Sequence, residues 1–133
     1  MDKLQILVVD DDLDFAKSLA AVIRLDKHQV ELAFTGEDAV KRFQEKNFDA
    51  AFIDVKLPGI NGVETFIEIR KSKPQARVVM ITGYCVDELL EQAVEHGAWQ
   101  VLTKPFEAEV VLKLLKTVQP GGELIGGKPL RDR

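Results

Sequence analysis

Apolar and polar positions alternate along the chain in blocks that predict five strands, each followed by a helix. The strand candidates are short runs rich in Val, Ile, Leu and Ala, the pattern of strands that are covered on both faces. They lie at Leu4–Val9, Gln29–Phe34, Asp49–Val55, Arg77–Thr82 and Ala98–Thr103. Strands that alternate with helices in this way favour a parallel sheet.

The segments between these runs carry apolar residues at helical spacing and predict five helices of ten to thirteen residues. The first three are expected at Leu13–Leu25, from Gly36 to about Glu45, and from Val63 to about Ser72. Two apolar stripes mark the others: Val86, Leu89, Leu90, Ala93 and Val94 in the fourth, and Val110, Val111, Leu114, Leu115 and Val118 in the fifth.

Capping residues stand at three of the expected helix ends. Asp12 and Asn61 precede the first and third helices and are good N-caps. Gly97 follows the fourth helix, where a C-cap glycine is common. These residues support the predicted helix boundaries.

The order of elements predicts an α/β fold, a doubly wound parallel sheet of five strands with helices on both faces. In open sheets of this kind, ligands bind outside the carboxyl ends of the strands. The residues at those ends are Asp10 and Asp11 after the first strand, Asp54 at the third, Thr82 at the fourth and Lys104 at the fifth. We therefore expect these side chains to converge on one edge of the sheet.

Composition and charge limit the class of protein. The chain has 133 residues, 46% hydrophobic and 30% charged, which is typical of one soluble globular domain. A net charge of -4 argues against direct binding of nucleic acid. The single cysteine, Cys85, excludes an internal disulfide or a cysteine-cluster metal site. Neither a signal peptide nor a membrane-spanning run is visible, so a cytoplasmic protein is expected.

The last 14 residues differ from the rest of the chain. Residues 120–133 are rich in Gly and Pro and show no hydrophobic periodicity. They predict a linker or disordered tail after a domain at 1–119. No second domain is visible, which leaves open a stand-alone protein or part of a longer one with an effector domain.

The three consecutive aspartates at 10–12 need a compensating charge. Two carboxylates about 4 Å apart repel by about 1 kcal/mol in water and about 4 kcal/mol at an effective dielectric of 20. Carboxylate oxygens suit a hard cation such as Mg²⁺, which Asp10, Asp11 and Asp54 could bind. With the ammonium of Lys104 and the hydroxyl of Thr82, this set suits a phosphoryl group, and Asp54 is the natural nucleophile.

Each of these residues also has a purely structural interpretation. An aspartate after a strand is often only a helix cap, which is the favoured role of Asp12. Asp54 alone could be a turn residue, and Thr82 or Lys104 alone is uninformative. Their placement at successive strand ends is what favours a functional site.

The sequences "VVDDD", "FIDVKLPGING", "VVMITGY" and "GAWQVLTKPF" resemble the motifs of response-regulator receiver domains, the CheY-like family of two-component signalling. The resemblance covers about residues 4–118. It implies a flavodoxin-like sheet of strand order 2-1-3-4-5. It also implies a phosphoprotein of a phosphorelay, not an enzyme, although such a domain assists its own phosphorylation and dephosphorylation.

The resemblance further implies a phosphoryl acceptor and a metal site. Asp54 would accept a phosphoryl group from a phosphohistidine on a sensor histidine kinase or a phosphotransfer protein. Mg²⁺, for which Mn²⁺ can substitute, would be bound directly by Asp11 and through water by Asp10. Asp54 and the backbone carbonyl of Lys56 would complete its protein ligands.

Other residues acquire roles by the same resemblance. Thr82 would move to the phosphoryl oxygen on activation, and Lys104 would pair with it. Pro105 would follow Lys104 in a cis peptide bond. Lys56 and Tyr84 flank the site and are expected to tune hydrolysis.

Phosphorylation would switch the surface formed by the fourth helix, fifth strand and fifth helix, which would bind an effector domain or partner protein. A homodimer stays open, and neither nucleic acid nor a membrane is an expected partner. Val101 departs from the family, which usually has Tyr or Phe there as a switch residue. Trp99, two positions away, is expected on the same strand face at another depth and is not an equivalent.

Three alternatives from other classes remain. A haloacid-dehalogenase-like phosphatase would use Asp10 and Asp12, but Leu13 and Asp14 do not fit the continuation of its motif. A flavodoxin-type cofactor binder would need a glycine- and hydroxyl-rich phosphate loop, and the aspartates would repel a phosphate. A scaffold or dimerisation module that is not phosphorylated would be expected to have lost the acceptor aspartate or the lysine.

Overall fold

Five strands form one parallel sheet in the computed structural model, which describes residues 3–83, 87–119 and 123–124. The strands are β1 (Gln5–Val9), β2 (Gln29–Ala33), β3 (Ala50–Asp54), β4 (Val78–Thr82) and β5 (Gln100–Thr103). Their order is β2-β1-β3-β4-β5, and each neighbouring pair is parallel. The predicted doubly wound α/β fold of order 2-1-3-4-5 is confirmed.

A helix follows each strand of the sheet. The helices are α1 (Leu13–Arg24), α2 (Gly36–Glu45), α3 (Gly62–Ser72), α4 (Asp87–Glu95) and α5 (Ala108–Leu115). The predicted length of ten to thirteen residues is wrong for α4 and α5, which have nine and eight residues. Val86, the first residue of the predicted α4 stripe, lies outside the described residues.

The fifth helix ends earlier than its apolar stripe predicts. Val118 does not continue α5 but begins β6 (Val118–Gln119), which pairs antiparallel with β7 (Glu123–Leu124). Its side chain is nevertheless buried with Leu115 in the same core. The core needs an apolar side chain at position 118, and this side chain can come from a strand as well as from another helical turn.

The two short strands reach into the segment predicted to be a linker or tail. Glu123 and Leu124 belong to 120–133, and the remaining residues of that segment lie outside the described part of the chain. The boundary at residue 119 therefore stays a prediction.

The sheet separates two hydrophobic cores. Leu7 and Val9 face the first, which we call the α2–α4 core and which contains Phe43 and Phe66. Ile6 and Val8 point the other way, into the α1–α5 core, with Phe52, Trp99 and Leu115. Because successive residues of a strand point to opposite faces, a sheet covered on both sides needs uninterrupted apolar runs. Full burial of each large side chain contributes about 1.5–3 kcal/mol.

One expectation about β5 is wrong. Trp99 and Val101 were expected on the same face, but Trp99 packs in the α1–α5 core and Val101 against the α2–α4 core. Trp99 precedes the first residue of β5, so the strict alternation of the strand does not extend to it. The indole faces the guanidinium of Arg77 at 5.5 Å.

The predicted caps are confirmed. The Asp12 carboxylate accepts the backbone N–H of Phe15 at 3.1 Å. Asn61 and Glu64 form a capping box, each side chain accepting the other's backbone N–H at 2.9 Å. Gly97 has a φ of +89°, and the N–H groups of Gly97 and Ala98 donate to the last turn of α4. This left-handed cap is the conformation that glycine adopts without strain.

Candidate functional site

The carboxyl edge of the sheet brings together the polar residues that end its strands. Asp10 leaves β1 with its N–H bonded to the Ala33 carbonyl of β2 at 3.1 Å. Asp54 is the last residue of β3, and Thr82 the last of β4. Lys104 leaves β5 with its N–H bonded to the Thr82 carbonyl at 2.8 Å. The backbone of the sheet thus carries all four residues to one edge.

The predicted carboxylates converge. One oxygen from each of Asp10, Asp11 and Asp54 lies within 4.8 Å of the other two. Asp10 is fully buried and Asp54 is 8% exposed, whereas Asp11 is open to solvent. This oxygen-only donor set, with one side facing water, fits a hard divalent cation such as Mg²⁺, which keeps several water ligands.

Lys104 compensates the charge of the two buried carboxylates. Its Nζ lies 3.1 Å from Oδ2 of Asp10 and 3.5 Å from Oδ2 of Asp54. The other oxygen of each carboxylate accepts a backbone N–H, from Asp12 at 2.9 Å and from Lys56 at 3.0 Å. Each carboxylate is therefore held between an amide and the ammonium group, which offsets the repulsion expected from the sequence.

Electrostatics distinguish Asp54 from an ordinary surface aspartate. Burial raises the pKa of Asp54 to about 6, and the negative charge of Asp10 acts in the same direction. The N–H of Lys56 and the charge of Lys104 oppose this rise in pKa. For Lys104, burial alone would lower the pKa, but the hydrogen bond to Asp10 and the charges of both carboxylates outweigh it and raise the pKa.

The remaining predicted residues lie around this centre. Thr82 is 3% exposed and pairs in register with Thr103 of β5. Lys56 is exposed next to Asp54, and the Lys104–Pro105 peptide bond is cis. Tyr84 lies outside the described residues.

A close approach of backbone fixes the position of Asp54. The N–H of Gly62, the first residue of α3, donates to the Val55 carbonyl at 2.8 Å. A Cβ at Gly62 would lie 1.9 Å from the Asp54 carbonyl oxygen. Only glycine allows α3 to begin this close to the end of β3.

Sequence reasoning missed one contact at the site. In the sequence, Phe15 lies within the first predicted helix and has no predicted role at the site. Its ring is partly exposed, and the Nζ of Lys104 lies 4.0 Å from the ring centroid. The position of Phe15 one turn after the aspartates was the available signal, but the contact joins residues far apart in the chain.

Comparisons with known proteins identify the family. The model of the response regulator receiver domain matches residues 6–116, so the chain belongs to this family of signalling domains. A response regulator receiver protein of Anaeromyxobacter sp. (strain Fw109-5) is 35% identical over 108 residues, covering 81% of this chain and 45% of that protein. The transcriptional regulatory protein ZraR of Salmonella typhimurium is 32% identical over 127 residues, covering 92% of this chain and 29% of that protein.

Solved structures agree with this assignment. The CheY-like response regulator receiver domain protein of Methanospirillum hungatei JF-1 superposes with a TM-score of 0.83 at 28% identity, over 86% of this chain and 92% of that one. The chain spans less than half the length of the two curated relatives above. Within 3–83, 87–119 and 123–124, no helix is long and apolar enough to cross a membrane.

Proposed function

We propose that this receiver domain accepts a phosphoryl group on Asp54, in a reaction that depends on Mg²⁺ or Mn²⁺. The observation that carries the proposal is the cluster of Asp10, Asp11 and Asp54, with Lys104 between the two buried carboxylates. Family membership supports it, because receiver domains act in two-component signalling. The donor would be the phosphohistidine of a sensor histidine kinase or phosphotransfer protein.

In the proposed step, a carboxylate oxygen of Asp54 attacks phosphorus and forms a P–O bond. The bond between phosphorus and the donor histidine nitrogen breaks, and the histidine takes up a proton. Asp54 must be ionised to attack, and the charge of Lys104 favours that form by lowering the pKa.

The other residues act by binding and orientation. Asp10, Asp11, Asp54 and the carbonyl of Lys56 would hold Mg²⁺, which would supply positive charge for the phosphoryl oxygens when bound. Lys104 is placed to move its hydrogen bonds from the carboxylates to a phosphoryl oxygen, since its ammonium carries three donors.

Thr82 also lies at the carboxyl edge of the sheet, and its hydroxyl would donate a hydrogen bond to a second phosphoryl oxygen. It ends β4 beside Asp54, which ends β3. The peptide bond between Lys104 and Pro105 is cis. All of these groups are held by strand ends, which favours a preformed acceptor site.

The proposed output is a change at the surface of α4, β5 and α5, read by an effector domain or partner protein. We propose that the domain is labelled once and then loses the group, unlike a phosphatase that turns over a substrate. A cytoplasmic location belongs to the same proposal.

Intact-mass spectrometry with a small acyl phosphate as donor tests the acceptor. Wild type should gain one phosphoryl group with Mg²⁺ and none with a chelator. Asp54→Asn should gain none. Asp11→Ala should also fail to be labelled, because it removes a ligand of the metal site. Asp12→Asn is the matched control, because Asp12 is an exposed N-cap outside the carboxylate cluster and should label like wild type. Equal labelling of Asp54→Asn and wild type would contradict the assignment.

A further inference from the structure

The ammonium of Lys104 has an uncharged partner as well as two carboxylates. Oδ2 of Asp10 and Oδ2 of Asp54 lie 3.1 and 3.5 Å from Nζ, and the centroid of the Phe15 ring lies 4.0 Å from it. The face of an aromatic ring attracts a cation through its quadrupole, and more strongly when the pair is partly removed from water. The Lys104 side chain is only 25% exposed, so water competes weakly for this contact.

Phe15 is itself held in place by one contact of its backbone and one of its ring. Its backbone N–H bonds to the Asp12 cap, in the first turn of α1. Its ring meets Phe106 edge-on, with centroids 5.9 Å apart and an interplanar angle of 86°. Phe106 lies two residues after Lys104. One aromatic pair thus joins the helix that follows the aspartates to the loop that carries the lysine.

We propose that Phe15 is a positioning residue for Lys104. Its ring keeps the ammonium at the site when a divalent cation is bound to the aspartates and a phosphoryl group is attached to Asp54. This inference rests on the proposed function, because it concerns the same lysine.

The physical reason is competition for the carboxylate oxygens. A divalent cation bound to Asp10 and Asp54 would use oxygens close to those that Lys104 now contacts, and its charge would repel the ammonium. The ring is a neutral partner that this competition does not remove. A leucine at position 15 would retain an apolar side chain but would lack the quadrupole.

The test compares wild type with Phe15→Leu and Phe15→Tyr. The readout is the order of the Lys104 side chain, measured by ¹³C relaxation of its ε-methylene with and without Mg²⁺. Wild type and Phe15→Tyr should keep an ordered side chain in both states. Phe15→Leu should lose order in the metal-free protein and lose more when Mg²⁺ is added. Phe34→Leu is the matched control, because Phe34 is exposed after β2, and it should behave like wild type.

Labelling by a small acyl phosphate gives a second measurement. Phe15→Leu should be labelled on the order of three- to thirty-fold more slowly than wild type. This factor is the free energy of a partly desolvated cation–π contact converted to a ratio of rates. Phe15→Tyr should restore the rate.

The two proposals fail in different ways. Lys104 order that is equal in wild type and Phe15→Leu, in both metal states, would overturn the role of Phe15 even if Asp54 is labelled normally. Failure of wild type to be labelled would contradict the acceptor proposal, while the loss of order in Phe15→Leu would still support the positioning of Lys104.

Discussion

At the carboxyl edge, Asp54 has two kinds of partner, and both favour its charged form by lowering its pKa. Asp54 accepts a backbone N–H on one oxygen and faces Lys104 with the other. Burial nevertheless dominates and raises its pKa to about 6. The ionised form of Asp54 is therefore less favoured, relative to the protonated form, in the metal-free folded protein than in the unfolded chain, where the pKa is near 3.8.

The first prediction concerns Asp54→Asn in metal-free protein. A pKa raised on folding contributes stability that is fully present below pH 3.8 and is lost as the pH rises through about 6. At pH 7 the substitution should raise the free energy of unfolding by about 1–2 kcal/mol. This is less than the roughly 3 kcal/mol that two pKa units represent, because water at the open edge screens the charge.

Urea unfolding from pH 3.5 to 8 with a chelator present measures this effect. The difference between Asp54→Asn and wild type should shrink toward acid pH and vanish below about pH 4. Asp12→Asn, at an exposed carboxylate, is the control and should show no comparable gain. A gain that is the same at every pH would show that charge is not its cause.

At the scale of elements, the site depends on how closely helices begin against strand ends. The start of α3 lies so near the end of β3 that a Cβ on Gly62 would meet backbone atoms of Asp54 and Val55. Backbone cannot move aside as the end of a flexible side chain can. The steric limit at Gly62 is therefore also a limit on the position of the proposed acceptor carboxylate.

The second prediction is that Gly62→Ala lowers the free energy of unfolding by about 1–3 kcal/mol, the cost of overpacking. It should also displace the Asp54 backbone resonances in an amide spectrum. Gly83→Ala is the matched control, because a Cβ on Gly83 would lie more than 4 Å from every described residue apart from its neighbours in the chain. Equal stability of the two variants would show that α3 can shift without cost.

At the scale of the whole molecule, the proposed function requires that a change at Asp54 reach the surface of α4, β5 and α5. The resemblance of the sequence motifs predicts an aromatic switch residue at the position of Val101, which packs partly buried against the α2–α4 core. Valine is stiff at χ1 and smaller than an aromatic ring, so it cannot turn inward to fill space vacated by Thr82. Full burial of a Phe-sized group would contribute about 1.5–3 kcal/mol to a switch.

The third prediction follows from this missing contribution. A shift from 1:99 to 99:1 between two states needs about 5.5 kcal/mol, so wild type should respond only partially to a phosphoryl mimic. Amide hydrogen exchange of α4 should change modestly in wild type and more strongly in Val101→Tyr. A full response in wild type that Val101→Tyr leaves unchanged would show that an aromatic residue is dispensable here.

Sequence patterns by themselves determined the elements, their order and the edge at which the polar residues meet. The signals for strands and for helix ends are local in the sequence. A strand buried on two faces needs a continuous apolar run, and a helix end needs a cap such as Asp12, Asn61 or Gly97. The rule that parallel strands end at the same edge then placed Asp10, Asp54, Thr82 and Lys104 together.

Only the tertiary structure decided what depends on residues far apart in the chain. The core accepts Val118 from a strand as readily as from a helix, so periodicity could not locate the end of α5. Trp99 lies outside the regular strand, so alternation could not assign its face. The contact of Phe15 with Lys104 depends on how α1 packs against the loop after β5, because side-chain packing is specified by the assembled sheet and not by neighbours in sequence.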